Sequence, residues 1–506
     1  MAIKRYKADS DNTIVNAFRP DLSTRGTGAN AGMADIVEAF SIYGRYSTSS
    51  QELSRVLVKF PISSISTDRS NSSIPASGSV SFYLRMFNAP HSKTVPKDYK
   101  LIVTAVSQSW QEGIGLDLEG YKDVTSGNTG SNWIYATNAT QWTSVGGDYL
   151  TGSDYIYQQS FEDGLADLEV DITSLVERWL ASDVGNYGVG VHLTSSNEAH
   201  FSSSTGANSG SLINNPNGAT VSYYTKRFFA RGSQYFFKRP VLEARWKSAT
   251  QDDRALFYYS SSLAPAADNL NTIYFYNFVR GRLVNIPSVG TSAILVSLYS
   301  GSKDNTTPSG SKLSLYDSNT NMTGGYVSTG VYSCSIGIAS SSTTALFDVW
   351  HSGSTQYFTG SITPKLITGY GDMSSTKPVY YLNITNLQGK YTNRETARFN
   401  LYVRDKNWSP NIYTVANATI PTTPVVSASY RVYRIIDALE AVAYGTGSDF
   451  QTGLSYDSTG NYFDFDMSLL EPGYAYAFKF TFYDQQLNSW IEQDEAFKFR
   501  VESYEY

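Results

Sequence analysis

The 506-residue chain has a single cysteine, Cys334, so it can form no disulfide within itself and no cysteine-based metal cluster. Its four histidines, His91, His192, His200 and His351, are scattered and complete no Cys/His zinc pattern. Charge is also scarce. Only 17% of residues are charged, and 39 Lys and Arg face 45 Asp and Glu, for a net charge of −6. Nucleic-acid binding needs clustered Lys and Arg to neutralise phosphates, and no such run occurs, so nucleic acid is not an expected partner. No apolar stretch approaches the roughly 20 residues that span a bilayer, so no membrane insertion is expected. The opening MAIKRYKADSDNTIVNAF reaches Asp9 and Asp11 before any apolar run, and no export leader is expected.

What is present is aromatic and turn-forming: 39 Tyr, 25 Phe and 39 Gly in a background of Ser, Thr and Asn. Such residues favour pleated, half-buried surfaces and tight turns. The predicted fold class is all-β, as tandem β-sandwiches. Residues 1–248 alternate short apolar runs with turn clusters: RVLVKFPI (55–62), VSFYLRMF (80–87), KLIVTAV (100–106) and YGVGVHLT (187–194). These predict a jelly roll. One short helix is expected, DITSLVERWLAS (171–182), capped by Asp171 or Thr173, with Leu175, Trp179 and Leu180 at helical spacing. Residues 249–373 predict an immunoglobulin-like sandwich, in which the alternation of GVYSCSIGI puts Cys334 in the core. Residues 374–506 predict a third sandwich. There LEPGYAY (470–476) resembles the corner between the fifth and sixth strands of fibronectin type III domains, Tyr476 being the matching corner tyrosine.

Between Trp110 and Tyr149 lies an excursion rich in Gly and Trp, with Trp110, Trp133 and Trp142. Three tryptophans need burial or a partner, so an ordered segment is expected. The motif order SRVLVKF (54–60), SWQEG (109–113), a Trp pair followed by GGDY, VDITSLVERWL (170–180) and NYGVGVHL (186–193) resembles the DNRLRE family. That resemblance covers about half the chain. It implies a jelly-roll sandwich of the kind found in cell-surface and carbohydrate-associated proteins and in phage structural proteins. It transfers no glycan-contacting residue, because its motifs are the ones that pack the fold.

No phosphate loop, HExxH helix or GxSxG elbow occurs. RGTGANAG (25–32) lacks the strand-to-helix context of a nucleotide loop and is read as a surface loop. The acidic neighbours that could serve as catalytic or calcium-binding groups are Glu112 with Asp117 and Glu119, Glu162 with Asp163, and Asp464 with Asp466. The first set lacks regular oxygen-ligand spacing, and the last fits a half-exposed strand. His192 reads as a satisfied sheet residue. No catalytic residue, metal or cofactor is therefore expected. Trp110, Trp133 and Trp142 are kept as candidate glycan or contact aromatics, and Arg431 and Tyr433 in SYRVYRII as candidate subunit contacts, on the strand face opposite Tyr430 and Val432.

Tandem sandwiches, no catalytic constellation and no export leader suggest a non-enzymatic structural component of a tailed-phage virion. Such a chain would decorate the head or belong to the neck, collar, tail or baseplate periphery, in many copies against other virion proteins. The C-terminal texture and the RGTGANAGMADI stretch also resemble virion structural proteins of large tailed phages. The alternative is a carbohydrate-binding adhesin or receptor-binding protein contacting host polysaccharide.

Overall fold

The computed structural model describes residues 2–45, 50–90, 95–116, 130–300, 312–315, 318–339, 343–366, 379–406, 408–410, 412, 414, 416, 422–485 and 487–504. The protein is all-β, and it divides into two compact units, Ala2–Lys247 and Ser248–Tyr506. No helix among the described residues is long and apolar enough to cross a membrane.

The first unit begins with β1 (Ile3–Lys7), β2 (Ser10–Val15), β3 (Ile36–Arg45), β4 (Ser54–Lys59) and a helix, α1 (Ile62–Ser70). It continues with β5 (Ser81–Met86), β6 (Tyr99–Ala105), β7 (Ile156–Phe161), β8 (Leu168–Asp171) and α2 (Thr173–Ala181). It ends with β9 (Val189–Leu193), β10 (Val221–Phe229) and β11 (Val241–Arg245). One sheet has the order β1-β11-β5-β8 and the other β2-β4-β9-β6-β7, while β3 pairs with β10. The antiparallel pairs β1/β11, β4/β9, β5/β8 and β6/β7 are nested in sequence and alternate between the two sheets. A long two-armed ribbon rolled up in this way is a jelly roll. Alternate residues close its core: Val56 and Val58 of β4, Phe82 and Leu84 of β5, Val103 of β6, Val191 of β9 and Leu242 of β11.

Helix α2 forms where expected and buries Leu175, Val176 and Trp179, with Leu180 only partly buried, but Ile172 takes the capping position in place of Asp171 or Thr173. The Asp171 carboxylate accepts the Thr173 amide, and the Thr173 hydroxyl in turn accepts the Phe82 amide, tying the helix start to β5. The expectation of a single helix was wrong, since α1 forms from PISSISTDRSNSS, a segment with turn-like composition and only Ile65 buried. Its hydroxyls bond back along the helix, Thr67 to the Ser63 carbonyl and Ser70 to that of Ser66. Arg69 then clamps Glu177 of α2 with two bonds of 2.8 and 2.6 Å. Tertiary contact stabilises this helix where periodicity gives no signal.

In the second unit, β12 (Asn271–Tyr276), a hairpin β13 (Phe278–Val279) and β14 (Arg282–Leu283), and β15 (Ile294–Tyr299) come first. Then follow β16 (Met322–Ser328), β17 (Val331–Ile336), β18 (Leu346–Ser352) and β19 (Thr355–Ile362). The strands run β12-β17-β16-β15-β18-β19, and β16 is shared by two antiparallel layers, one with β12 and β17 and one with β15, β18 and β19. Met322–Gly324 of β16 pairs with β15, and the strand from Gly325 onwards pairs with β17, so the sheet turns a corner at Gly324–Gly325. A Cβ on Gly324 would lie 2.6 Å from the Ser333 carbonyl oxygen, a backbone approach that glycine permits. Inside the fold sit Ile273, Val296, Tyr332, Trp350 and Cys334, whose thiol is pushed up to about 12 by burial.

The remaining strands are β20 (Tyr380–Ile384), β21 (Lys390–Thr392), β22 (Thr396–Asp405), β23 (Ala428–Arg434) and β24 (Glu440–Val442). After them come β25 (Ser455–Asp457), β26 (Gly460–Asp466), β27 (Ala475–Asp484), β28 (Ser489–Glu492) and β29 (Phe497–Glu502). Sheet β20-β22-β26-β25 packs on β21-β29-β27-β23-β24, and β28 extends the pairing of β27. The parallel β21/β29 pair and the four-stranded first sheet give the immunoglobulin arrangement. The Tyr476 hydroxyl donates to the Glu471 carbonyl at 2.9 Å and accepts the Glu471 amide at 3.0 Å, closing the corner. Residues 250–252 run along β25: the Tyr456 amide donates to Thr250 and the Asp252 amide to Tyr456, covering that strand's free edge.

Candidate functional site

The outward face of β4, β6 and β9 carries Arg55, Leu57, Thr104, Gly190 and His192, alternating with the core residues of those strands. The excursion anticipated from its tryptophans packs onto this face. Leu57, Val106, Trp133, Ala136 and Trp142 form a second apolar core there, with Trp110 and Tyr149 against it. Each indole N–H donates to a backbone carbonyl: Trp110 to Tyr187, Trp133 to Ser211 and Trp142 to Asn132. Trp133 is fully buried and Trp142 is 5% exposed, so neither offers a ring face to a sugar. The structure brings the three together as packing, and as a stacking platform they are excluded, with only Trp110 partly exposed.

Beneath this annex lies a buried ion pair that sequence reasoning missed. The Arg55 guanidinium meets both oxygens of Glu198 at 3.1–3.2 Å and donates to the Gly146 carbonyl at 3.2 Å. Their exposures are 8% and 4%. Arg55 also lies 5.8 Å from the Trp133 ring centre and 5.6 Å from that of Tyr149. His192 sits 3.7 Å from Glu198, and its Nδ1 is 2.8 Å from the Leu193 carbonyl. Burial first, and then the charge of Arg55, push its imidazole down to about 3, so it stays neutral. The signal that could have found the pair was an arginine at an apolar strand position.

RGTGANAG, read as a surface loop, is largely buried. The Asn30 side-chain oxygen accepts the amides of Gly32 and Gly115, and its NH2 donates to the Glu112 and Ser131 carbonyls. A Cβ on Gly115 would lie 1.7 Å from the Asn30 carbonyl oxygen, so the loop is a seat for the excursion. Glu112 is held by Arg231 through bonds of 2.7 and 2.6 Å and accepts the Asp11 amide. Burial, reinforced by Glu112, pushes Asp11 up to about 7 against the opposing effect of Arg231. Asp117 and Glu119 lie outside the described residues. Glu162 and Asp163 are both exposed, and Asp163 accepts the Leu165 amide. Asp464 is bound by Arg398 through two bonds and Asp466 accepts the Ser468 amide. Tyr462 is buried on the same strand face as these two carboxylates. Among the described residues, no group of three or more His, Cys, Asp or Glu is placed to hold a metal ion.

Arg431 and Tyr433 do share one face of β23, with Tyr430 and Val432 buried on the other. Opposite Arg431 stands Lys479 of β27, a like-charge pair bridged by Glu492 of β28. Glu492 accepts Lys479 at 2.7 Å and the Tyr444 hydroxyl at 2.9 Å, and lies 3.0 Å from Arg431. Burial opposes ionisation of Glu492, but Lys479, Tyr444 and Arg431 together outweigh it and hold the carboxyl below its usual range. The Arg431 guanidinium is 5.6 Å from the Tyr433 ring centre and 5.4 Å from that of Tyr444. The result is a half-exposed Tyr/Arg patch with fixed geometry.

No family model and no curated protein matches the chain. Among solved structures, trypsin-activated alpha-2-macroglobulin from Escherichia coli aligns over 92% of this chain and 30% of its own length, at 9% identity and a TM-score of 0.15. The chain thus spans under a third of that protein, and a similarity this low carries no argument about fold or function.

Proposed function

We propose that this chain is a non-enzymatic structural component of a tailed-phage virion, acting in many copies through contacts with its neighbours. The observation that carries this reading is how its ionisable groups are used: they clamp strand to strand. On the outer face of β1, β11, β5 and β8, Glu243 meets Arg5 at 2.6 Å, Arg245 at 2.7 Å and Arg85 at 3.3 Å. Glu169 ties Arg85 and Arg245 again at 3.0 and 2.7 Å. Burial would raise the Glu243 carboxyl, but the three guanidiniums outweigh it and hold it far below its usual range. Together with the Arg55–Glu198 pair and the Glu492 cluster, these networks tie neighbouring segments to one another, a use of charge that supports a structural role. The adhesin alternative came from the DNRLRE resemblance, and the indoles that could have served it as stacking faces, Trp133 and Trp142, are buried.

Mass spectrometry of gradient-purified particles, with labelled antibody in electron microscopy, tests the proposal. The chain is expected at tens of copies or more on the head or tail; its absence from particles refutes the reading. In the same assay, Arg431→Ala with Tyr433→Ala is expected to weaken incorporation while leaving the fold intact, because both side chains lie outside the core. Unchanged incorporation would remove that patch as a contact.

A further inference from the structure

The sandwich of residues 249–373 carries a projection that serves none of its packing. In Asn277–Val284, NFVRGRLV, Phe278 pairs with Leu283 and Val279 with Arg282. The turn residues Arg280 and Gly281 have φ of 51° and 77°, the positive values of the turn type that matches strand twist in two-residue hairpins. The base is pinned: the Asn277 side chain donates to the Val284 carbonyl at 2.7 Å, and the Asn277 amide donates to the Gly330 carbonyl at 2.7 Å. Beyond that base every residue from 278 to 284 is exposed. Phe278 is 62%, Val279 49%, Val284 42% and Leu283 37% exposed, with two arginines at the tip. Among the described residues neither Arg280 nor Arg282 makes an ion pair. A two-stranded hairpin is marginal in water on its own. Aromatic and aliphatic side chains flanked by arginine are the composition of an interface anchor.

The sandwich of residues 374–506 holds a complementary hollow. A cavity of about 290 Å³ opens between β20, β27 and β28, lined by the apolar Val425, Phe482 and Ile491 and by one lysine, Lys406, against the acidic Asp484, Glu492, Asp494 and Glu495. This is just under the roughly 300–1,000 Å³ of small-molecule sites, a size suited to anchoring side chains. Asp494 makes no ion pair among the described residues, and Glu495 has only Lys406 at 3.9 Å.

We propose that the hairpin of one copy docks in the hollow of a second copy of this chain, Phe278 and Leu283 covering the apolar floor and Arg280 and Arg282 meeting Asp494 and Glu495. Hairpin and hollow are different surfaces, so the contact is head-to-tail and propagates into a ring or a filament. It rests on the multi-copy reading above for its setting, and it supplies that reading with a contact that needs no other protein.

Sedimentation velocity of the purified full chain over a concentration series tests it without particles, so its failure is distinct from failure of the virion reading. Wild type is expected to associate beyond a dimer, more weakly at high salt because surface charges are screened. Arg280→Glu with Arg282→Glu, and separately Asp494→Lys with Glu495→Lys, should each weaken association by about tenfold to a hundredfold. Mixing the two charge-reversed chains should restore it, since acidic hairpins then meet basic hollows and basic hairpins acidic ones; restoration also shows both variants are folded. Wild type that remains monomeric throughout, or variants whose mixture stays apart, overturns the proposal.

Discussion

Replacing Arg55 with Met removes one half of the ion pair between jelly roll and annex, leaving the Glu198 carboxylate 4% exposed and, among the described residues, paired with no other cation. Breaking a buried pair from one side costs about 3–5 kcal/mol, because the remaining charge is stranded in a poor solvent for it. Replacing both, as Arg55→Met with Glu198→Met, is expected to recover most of that loss, since two apolar side chains strand no charge. The recovery stays incomplete by roughly 1 kcal/mol because the Gly146 carbonyl loses its donor. Several domains unfold separately in a chain of this kind, so hydrogen exchange resolved to β4 and β9 is the suitable assay. His192 supplies a second readout. Burial, the larger cause of its lowered pKa, stays, but with the Arg55 charge gone the value should rise from about 3, visible by NMR titration. Equal destabilisation in single and double variants, with an unmoved His192, would refute the reasoning.

Two further outcomes follow from other groups. Asp11 has its pKa pushed up from 3.8 to about 7, so the folded first unit binds a proton that the unfolded chain releases, and its stability falls as pH rises from about 4 to 7. Asp11→Asn should flatten that decline, by at most about 4 kcal/mol, in thermal unfolding followed from pH 4 to 8; an unchanged slope would mean Asp11 titrates normally. Tyr476→Phe removes both bonds to Glu471 while keeping the ring buried, and should cost the last sandwich about 1–3 kcal/mol in urea unfolding. A loss below a few tenths would leave the corner without energetic weight.

Strand positions were legible in the sequence because alternation is local. SFYLRM and GVYSCSI place their core residues by parity alone, and the corner tyrosine follows from a seven-residue string. The jelly roll's nesting was reached through motif order, since strands such as β1 and β11 meet across more than 200 residues that no local pattern spans. The candidate site was the least legible part. Trp133 in a sequence looks alike whether it stacks on a sugar or seals a second core, and only the partner face of β4 and β9 decides. Arg55 shows the same limit from the other side: in RVLVKF it reads as a stray charge on a strand, and its partner Glu198 lies 143 residues away.

A protein packed in many copies must keep its sheets from pairing edge to edge, because an open strand accepts any neighbour. In the last sandwich the edge strands β21, β24 and β25 have only three residues each, and residues 250–252 lie along β25. In the jelly roll, the edge strand β1 carries Lys4, Arg5 and Lys7 and β8 has four residues. Unspecific backbone pairing is blunted at these edges. The docking proposed above would then fall to side chains, with Phe278 and its neighbours on the hairpin selecting one partner surface over another.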